Sequence, residues 1–258
     1  METMQETIRP PVNEKVQEPV ISIRHLYKSF GANKVLEDFN LELMKGENVA
    51  VLGKSGSGKS VLIKCIIGLL KQDSGEISVL GQNVAELDHD ELDRIRVKVG
   101  FLFQSNALYD SMTVRENLEF PMRRHWIKMS PDESDERVME TLKNVGLAHT
   151  GDMMPVELSG GMRKRIALAR TLILNPDIML YDEPTTGLDP ITGREISKLM
   201  VEVGEKYNTS SLIISHDMNC IRATADRIVM LVDGKCYADG TYEELKKNND
   251  PKVKQFFE

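Results

Sequence analysis

The run Gly53-Lys54-Ser55-Gly56-Ser57-Gly58-Lys59-Ser60 fits the pattern G-x-x-x-x-G-K-[ST] and lies between a short apolar stretch ending at Leu52 and the start of a helix-patterned segment. Glycines let such a loop turn so that successive N–H groups point at phosphate oxygens, and the helix start behind it adds its positive dipole end. Lys59 is then expected to reach the β- and γ-phosphates of a nucleoside triphosphate, and the Ser60 hydroxyl to hold Mg²⁺. A chance match in a chain this long arises about once in a hundred sequences, and the strand-to-helix context makes it rarer.

Two further clusters gain meaning beside that loop. Ile178 to Tyr181 is a short apolar strand that ends in Asp182 and Glu183. Two acids at a strand end are ordinarily loop solubility. Near a phosphate loop, Asp182 suits the second-shell hold on Mg²⁺, and Glu183 can take a proton from the water that attacks the γ-phosphate. Leu158-Ser159-Gly160-Gly161-Met162 opens a helix and is a second phosphate-type helix start. In isolation it reads as a serine N-cap and a glycine turn. One triphosphate is already gripped by its own loop, so a second anion-binding helix start suggests a site shared between two chains.

The elements that must position these groups follow from periodicity. Val20 to Arg24 and Phe39 to Leu43 alternate, and Asn48 to Leu52 is a buried-type run, which predicts three strands before a helix over Gly58 to Leu69. Strands are expected at Glu76 to Leu80, Val99 to Phe103, Ile178 to Tyr181, Ser211 to Ile214 and Ile228 to Val232, with Asp233-Gly234 turning a hairpin into Lys235 to Ala238. Helices are expected over Asp88 to Arg96 with Asp88 as N-cap, Met162 to Leu174, and Ile191 to Tyr207. From about Asp110 to Val156 strand signals vanish, and Thr113 to Glu119 and Asp132 to Val145 read as helices of an inserted lobe. Alternating strands and helices imply an α/β fold whose parallel sheet is covered on both faces. The acids Asp88, Asp90, Glu91 and Asp93 read as a solvated first helical turn rather than a metal site.

Composition narrows the functional classes. In 258 residues, 41% are hydrophobic and 28% charged, as in well-packed globular domains. A net charge of −7 argues against a nucleic-acid surface. Every apolar run is far shorter than the roughly 20 residues of a spanning helix. The N-terminus has no secretory pattern, so a cytoplasmic protein is expected. Cys65, Cys220 and Cys236 have no metal-ligand spacing and read as inert thiols.

With these motifs in hand, the chain from Val20 to about Tyr242 resembles the ABC transporter ATPases, whose Walker A, signature and Walker B elements look like the phosphate loop, Leu158 to Met162, and Tyr181 to Glu183, in that order. The resemblance implies an α/β P-loop NTPase (RecA-like) core with a parallel sheet, an antiparallel β subdomain and an inserted helical subdomain. It implies that Gln104 touches Mg²⁺ and links to a membrane subunit, that Asp189 lies in the D-loop, and that His216 senses the γ-phosphate. It also implies that Phe30 stacks on adenine, with Tyr27 as the competing ring. Met162 and Tyr181 depart from the family pattern, where Gln and an aliphatic residue are usual. FLFQSNALYDSMTV from Phe101, LSGGMRKR from Leu158 and YDEPTTGLDPIT from Tyr181 look like the lipid-handling branch, similar to phospholipid transporters of the Mla (maintenance of lipid asymmetry) type.

What the resemblance implies for function is an ATPase with ATP and Mg²⁺ as its ligands, closing as a homodimer over two ATP and driving integral membrane permease subunits. A lipid-binding periplasmic component and a place on the cytoplasmic face of the inner membrane belong to the same expectation. The organisation expected is a flexible tail over 1–19, an ATP-binding domain over 20–245 with its helical subdomain at roughly 88–165, and a C-terminal helix or tail over 246–258. Val253, Phe256 and Phe257 suit either a clasp on a neighbouring chain or a short helix on their own domain. Rival readings are an amino-acid or drug permease as partner, and an ABC ATPase acting on ribosomes or DNA, which usually carries two cassettes or a coiled-coil insertion.

Overall fold

The computed structural model describes residues 18–125 and 127–257; the reading of 1–19 as a flexible tail therefore lies, for 1–17, outside the described residues. The first part of the chain forms β1 (Ile21–Phe30), β2 (Asn33–Leu43), β3 (Asn48–Leu52), α1 (Lys59–Ile66), β4 (Ser74–Val79), β5 (Gln82–Asn83), α2 (His89–Lys98) and β6 (Val99–Leu102). Then come α3 (Val114–Arg124), α4 (Pro131–Asn144), α5 (Gly160–Leu172), β7 (Ile178–Asp182), α6 (Pro190–Tyr207) and β8 (Ser210–Ser215). The chain closes with α7 (Met218–Thr224), β9 (Arg227–Val232), β10 (Lys235–Gly240), α8 (Tyr242–Lys246) and α9 (Pro251–Lys254).

Two sheets result. An antiparallel one has the order β2-β1-β4-β5, and a larger one has the order β10-β9-β3-β8-β7-β6, parallel from β9 to β6 with β10 antiparallel at its edge. β1 runs well past the Arg24 end expected from alternation. Register shifts follow Ile23, and His25 and Asp38 take left-handed φ of 48° and 55°, so the buried residues Ile23 and Leu26 fall three apart and the period of two is lost. The β9–β10 turn has φ of 51° at Asp233 and 76° at Gly234, the two positive angles a type I′ hairpin needs.

Alternation along β3 divides the interior. Val49 and Val51 pack with Phe39, Ile63 and Ile77 beneath the antiparallel sheet, while Ala50 and Leu52 pack with Ile221, Ile228 and Val253 on the opposite face. A further cluster joins α3, α4, α5 and α6 to Met179, Tyr181 and Ile213, so the helical lobe shares its core with one face of the parallel sheet. Ile95 of α2 belongs instead to the cluster beneath the antiparallel sheet.

The helices start where side chains can satisfy their free N–H groups. Asp88 with Glu91, Thr113 with Glu116, and Ser130 with Glu133 form capping boxes for α2, α3 and α4. The acids around Asp88 are thus partly accounted for: Asp88 caps, and Asp93 pairs with Arg96 and Arg124. α3 continues through Pro121 to Arg124, beyond the Glu119 end expected from sequence. At the C-terminus Val253 is buried, and Phe257 meets Tyr242 edge-on with ring centroids 5.4 Å apart. Of the two readings of these apolar residues, the structure has them packed on their own domain.

Candidate active site

Four neighbouring strands end at one cavity. β3 leads into the phosphate loop, β8 into His216, β7 into Asp182 and Glu183, and β6 toward Gln104. The sequence reading put the carboxylate strand next to the phosphate loop; β8 intervenes, with Leu52 paired to Ser215 and Asp182 to Ile214, which is how His216 comes between loop and carboxylates. The cavity holds about 680 Å³ and is lined by Phe30, Gly53 to Gly56, Gly58 to Ser60, Gln104, Glu183 and His216, together with Val35, Val61, Thr186 and Phe256. That volume lies within the range of ordinary ligand pockets. Ser57 is not in this lining; its hydroxyl is buried and has no hydrogen-bond partner among the described residues.

The loop backbone depends on glycine at Gly58, where φ is 103° and a Cβ would come within 2.7 Å of Val35 Cγ1. Lys59 is 6% exposed; its Nζ donates to the carbonyls of Gly53 at 2.8 Å and Lys54 at 3.0 Å and lies 3.9 Å from Glu183 Oε1. Burial lowers its pKa, while the charges of Glu183 and Asp182 oppose that shift. The ammonium thus sits at the loop mouth with donor capacity for phosphate oxygens.

Burial raises the Asp182 pKa, although the Ser60 hydroxyl donates to its Oδ1 at 3.3 Å and favours the charged form. A half-buried carboxylate bonded to a serine hydroxyl, with Gln104 lining the same cavity as that serine, is a set of hard oxygen donors. Among the described residues no group of three or more His, Cys, Asp or Glu forms a metal cage. Such a donor set fits Mg²⁺, which takes one or two protein oxygens and completes its octahedron with phosphate oxygens and water.

Glu183 adopts φ of 50°, uncommon for a residue with a Cβ. Its N–H donates to the Ile214 carbonyl at 2.9 Å. Its Oε2 accepts from Thr186 Oγ1 at 3.3 Å and lies 2.8 Å from His216 Nδ1. When Nδ1 carries the proton toward the carboxylate, Nε2 is left as an acceptor. Glu183 is thereby aimed and held, as a general base must be.

Of the two aromatic candidates, Phe30 lines the cavity and is 49% exposed, whereas Tyr27 is 40% exposed and does not line it. Ser159, Gly160, Gly161 and Asp189 lie outside this cavity. Ser159 Oγ accepts from Met162 N–H at 3.2 Å and caps α5. Asp189 caps α6 through Ile191 and Thr192 N–H, and these bonds with the Thr192 hydroxyl hold its carboxyl below the usual range. The two departures from the family pattern meet the core shared by the helical lobe and the parallel sheet: Tyr181, on β7, is buried in it and Met162 packs against it.

Five residues at the site escaped sequence reasoning, Val35 and Val61 of the lining among them. Thr186 follows Glu183 by three residues in a turn and was readable as part of YDEPTT. Phe256 reaches the cavity from the chain's end, and Lys164 lies beneath Gln104; neither has a local signal.

The ABC transporter family model matches residues 36–186. The chain is 40% identical over 236 residues to the probable ribonucleotide transport ATP-binding protein mkl of Mycobacterium leprae, covering 92% of this chain and 68% of that protein. It is 38% identical over 237 residues to the intermembrane phospholipid transport system ATP-binding protein MlaF of Haemophilus influenzae, covering 92% and 89%. A solved ATP-binding cassette, dimeric in a post-hydrolysis state with ADP and Pi, superposes with a TM-score of 0.78 at 34% identity, covering 86% of this chain and 98% of that one.

Proposed function

This chain belongs to the ABC transporter family as an ATP-hydrolysing, ATP-binding subunit that works with membrane permease subunits, and from that premise we propose that it closes as a homodimer over two ATP to power phospholipid transport across a cell envelope. The observation that carries the chemistry is the 2.8 Å contact between His216 and Glu183 at the mouth of the loop that presents Lys59.

In this reading the loop amides from Gly53 to Ser60 and the Lys59 ammonium hold the β- and γ-phosphates, and Phe30 stacks on the adenine. Glu183 takes the proton of the attacking water while His216 holds the carboxylate in place, and the ring's other nitrogen meets the γ-phosphate only as an N–H donor. Ser60 and Gln104, with Asp182 behind them, would hold Mg²⁺, which would supply charge neutralisation on the phosphates. The helix start at Ser159 to Gly161 does not line its own cavity and is exposed at Ser159 and Gly160, which supports its use on the partner's γ-phosphate, with Asp189 at the same contact.

Cargo selection rests with the permease. No helix among the described residues is long and apolar enough to cross a membrane, which supports a peripheral subunit on the cytoplasmic face of the inner membrane. Two relatives of nearly equal identity carry different cargo in their names. The chain spans 89% of the phospholipid relative and about two thirds of the other, which favours the lipid reading and, with it, a lipid-binding periplasmic component. A reconstituted complex with its permease is expected to move fluorescent phospholipid between vesicles and a carrier protein, and Glu183→Gln to stop that movement. Transfer identical with active and inactive subunit, together with ATPase stimulation by a ribonucleotide or an amino acid, overturns the lipid reading.

A further inference from the structure

Lys164, in the middle of α5, is 2% exposed, and its Nζ makes one hydrogen bond among the described residues, to the Gln104 carbonyl at 3.0 Å. Further along the helix, Arg170 donates to the carbonyls of Ala107 at 2.6 Å and Asn106 at 3.0 Å and lies over the Tyr109 ring at 5.9 Å. The segment so gripped is irregular: Asn106 and Ala107 take left-handed φ of 64° and 53°. Two cations from one helix thus hold three carbonyls of the turn that carries Gln104. An ammonium placed in a core for packing alone loses its hydration with little return, and an apolar side chain of similar volume serves better there. Bulk is not what Lys164 supplies.

Resting on the reading of Gln104 as a nucleotide-site residue, we propose that Lys164 is a positioning residue that, with Arg170, fixes the Gln104–Ala107 turn to α5, so that the Gln104 side chain and the Ser159 helix start move as one body. The charge of Asp182 also acts on this cation, and the two roles have opposite signs. As a charge alone, Lys164 weakens Mg²⁺ binding, so its removal lowers the Mg²⁺ needed. As a positioner it aims Gln104, so its removal raises that need.

The test uses the purified full chain with a fluorescent ATP analogue, reading the Mg²⁺ concentration at half-maximal nucleotide binding, together with amide hydrogen exchange and thermal unfolding. Lys164→Met is expected to raise the Mg²⁺ midpoint about 10-fold, the scale of one hydrogen bond involving a charged group. It is also expected to speed exchange of amides 104–109 while α5 keeps its protection. Lys164→Gln, which can donate to the same carbonyl without charge, is expected to restore most of both. Arg170→Lys, which loses the two-pronged grip, gives the same exchange signature if the methionine variant does not fold. A fall in the Mg²⁺ midpoint, or unchanged exchange of 104–109 in every variant, overturns the proposal. Gln104→Ala separates the two levels. If that variant leaves the Mg²⁺ midpoint unchanged, the reading of Gln104 has failed, and the exchange data still decide whether Lys164 positions the turn.

Discussion

Glu183 concentrates the chemistry because three constraints meet on it: a left-handed backbone, a hydrogen bond from Thr186 and the His216 ring. A non-glycine residue in that conformation costs on the order of 1 kcal/mol and persists only where its surroundings over-determine it. Glu183→Gln keeps shape and backbone but cannot take the water's proton. ATP binding is expected to survive while hydrolysis falls by roughly 10² to 10⁴, the usual worth of a general base, in single-turnover assays. Wild-type turnover in that variant sinks the assignment. Lys59→Ala removes a charged donor instead and should weaken ATP binding about 10- to 100-fold by equilibrium titration. These residues were legible in the chain because the phosphate loop and the acidic strand end are local patterns with their own physical meaning. His216 was legible only through resemblance. Lys164 and Phe256 were not, since each owes its place to a tertiary approach that no spacing encodes.

Most elements were readable where the pattern is plain, as in the continuous apolar runs of β3 and β7, buried on both faces, and the helical period of α6. Reading failed where a bulge broke alternation in β1, and where α3 ran on past Pro121. It also missed α7, which is only seven residues long and carries no strong periodic signal. The start of α5 shows an element serving two masters. A Cβ on Gly161 would come within 2.7 Å of Thr192 Cγ2, and the Thr192 hydroxyl is already bonded to Asp189 at 2.6 Å, so it has little freedom to give way. A Cβ on Gly160 meets only Leu188 Cδ2 at 3.8 Å, an ordinary contact. Gly161→Ala should therefore destabilise the fold by about 1 to 3 kcal/mol, seen as a lower thermal midpoint. Gly160→Ala should leave that midpoint within about 1 kcal/mol of wild type and lose ATP-dependent dimerisation, because the bare backbone is then needed by the partner's nucleotide and not by its own fold. Full dimerisation by Gly160→Ala argues that this helix start is only a cap.

At the scale of the whole molecule, the proposed dimer rests on the arrangement of the two anion-binding helix starts. One cavity gathers the phosphate loop, Gln104, Glu183 and His216, while Ser159 and Gly160 stand exposed outside it on the lobe. In that reading a single chain leaves a helix N-terminus unused, and two chains arranged head to tail let each lend it to the other's γ-phosphate. Complementation tests this. Ser159→Arg blocks the helix start that a chain lends, and Lys59→Ala spoils the loop it keeps, so each homodimer has two defective sites. In a mixed dimer, purified through different tags on the two chains, both defects fall on the same site and the other site is intact. Such dimers are expected to occlude one ATP each and to recover hydrolysis that neither homodimer has. Ser159→Arg alone should still bind ATP in its own loop with near wild-type affinity, since Ser159 lies outside that cavity. If the mixed dimer is as inactive as its parents, or if Ser159→Arg empties its own loop, each cavity is complete within one chain and the shared-site model is wrong.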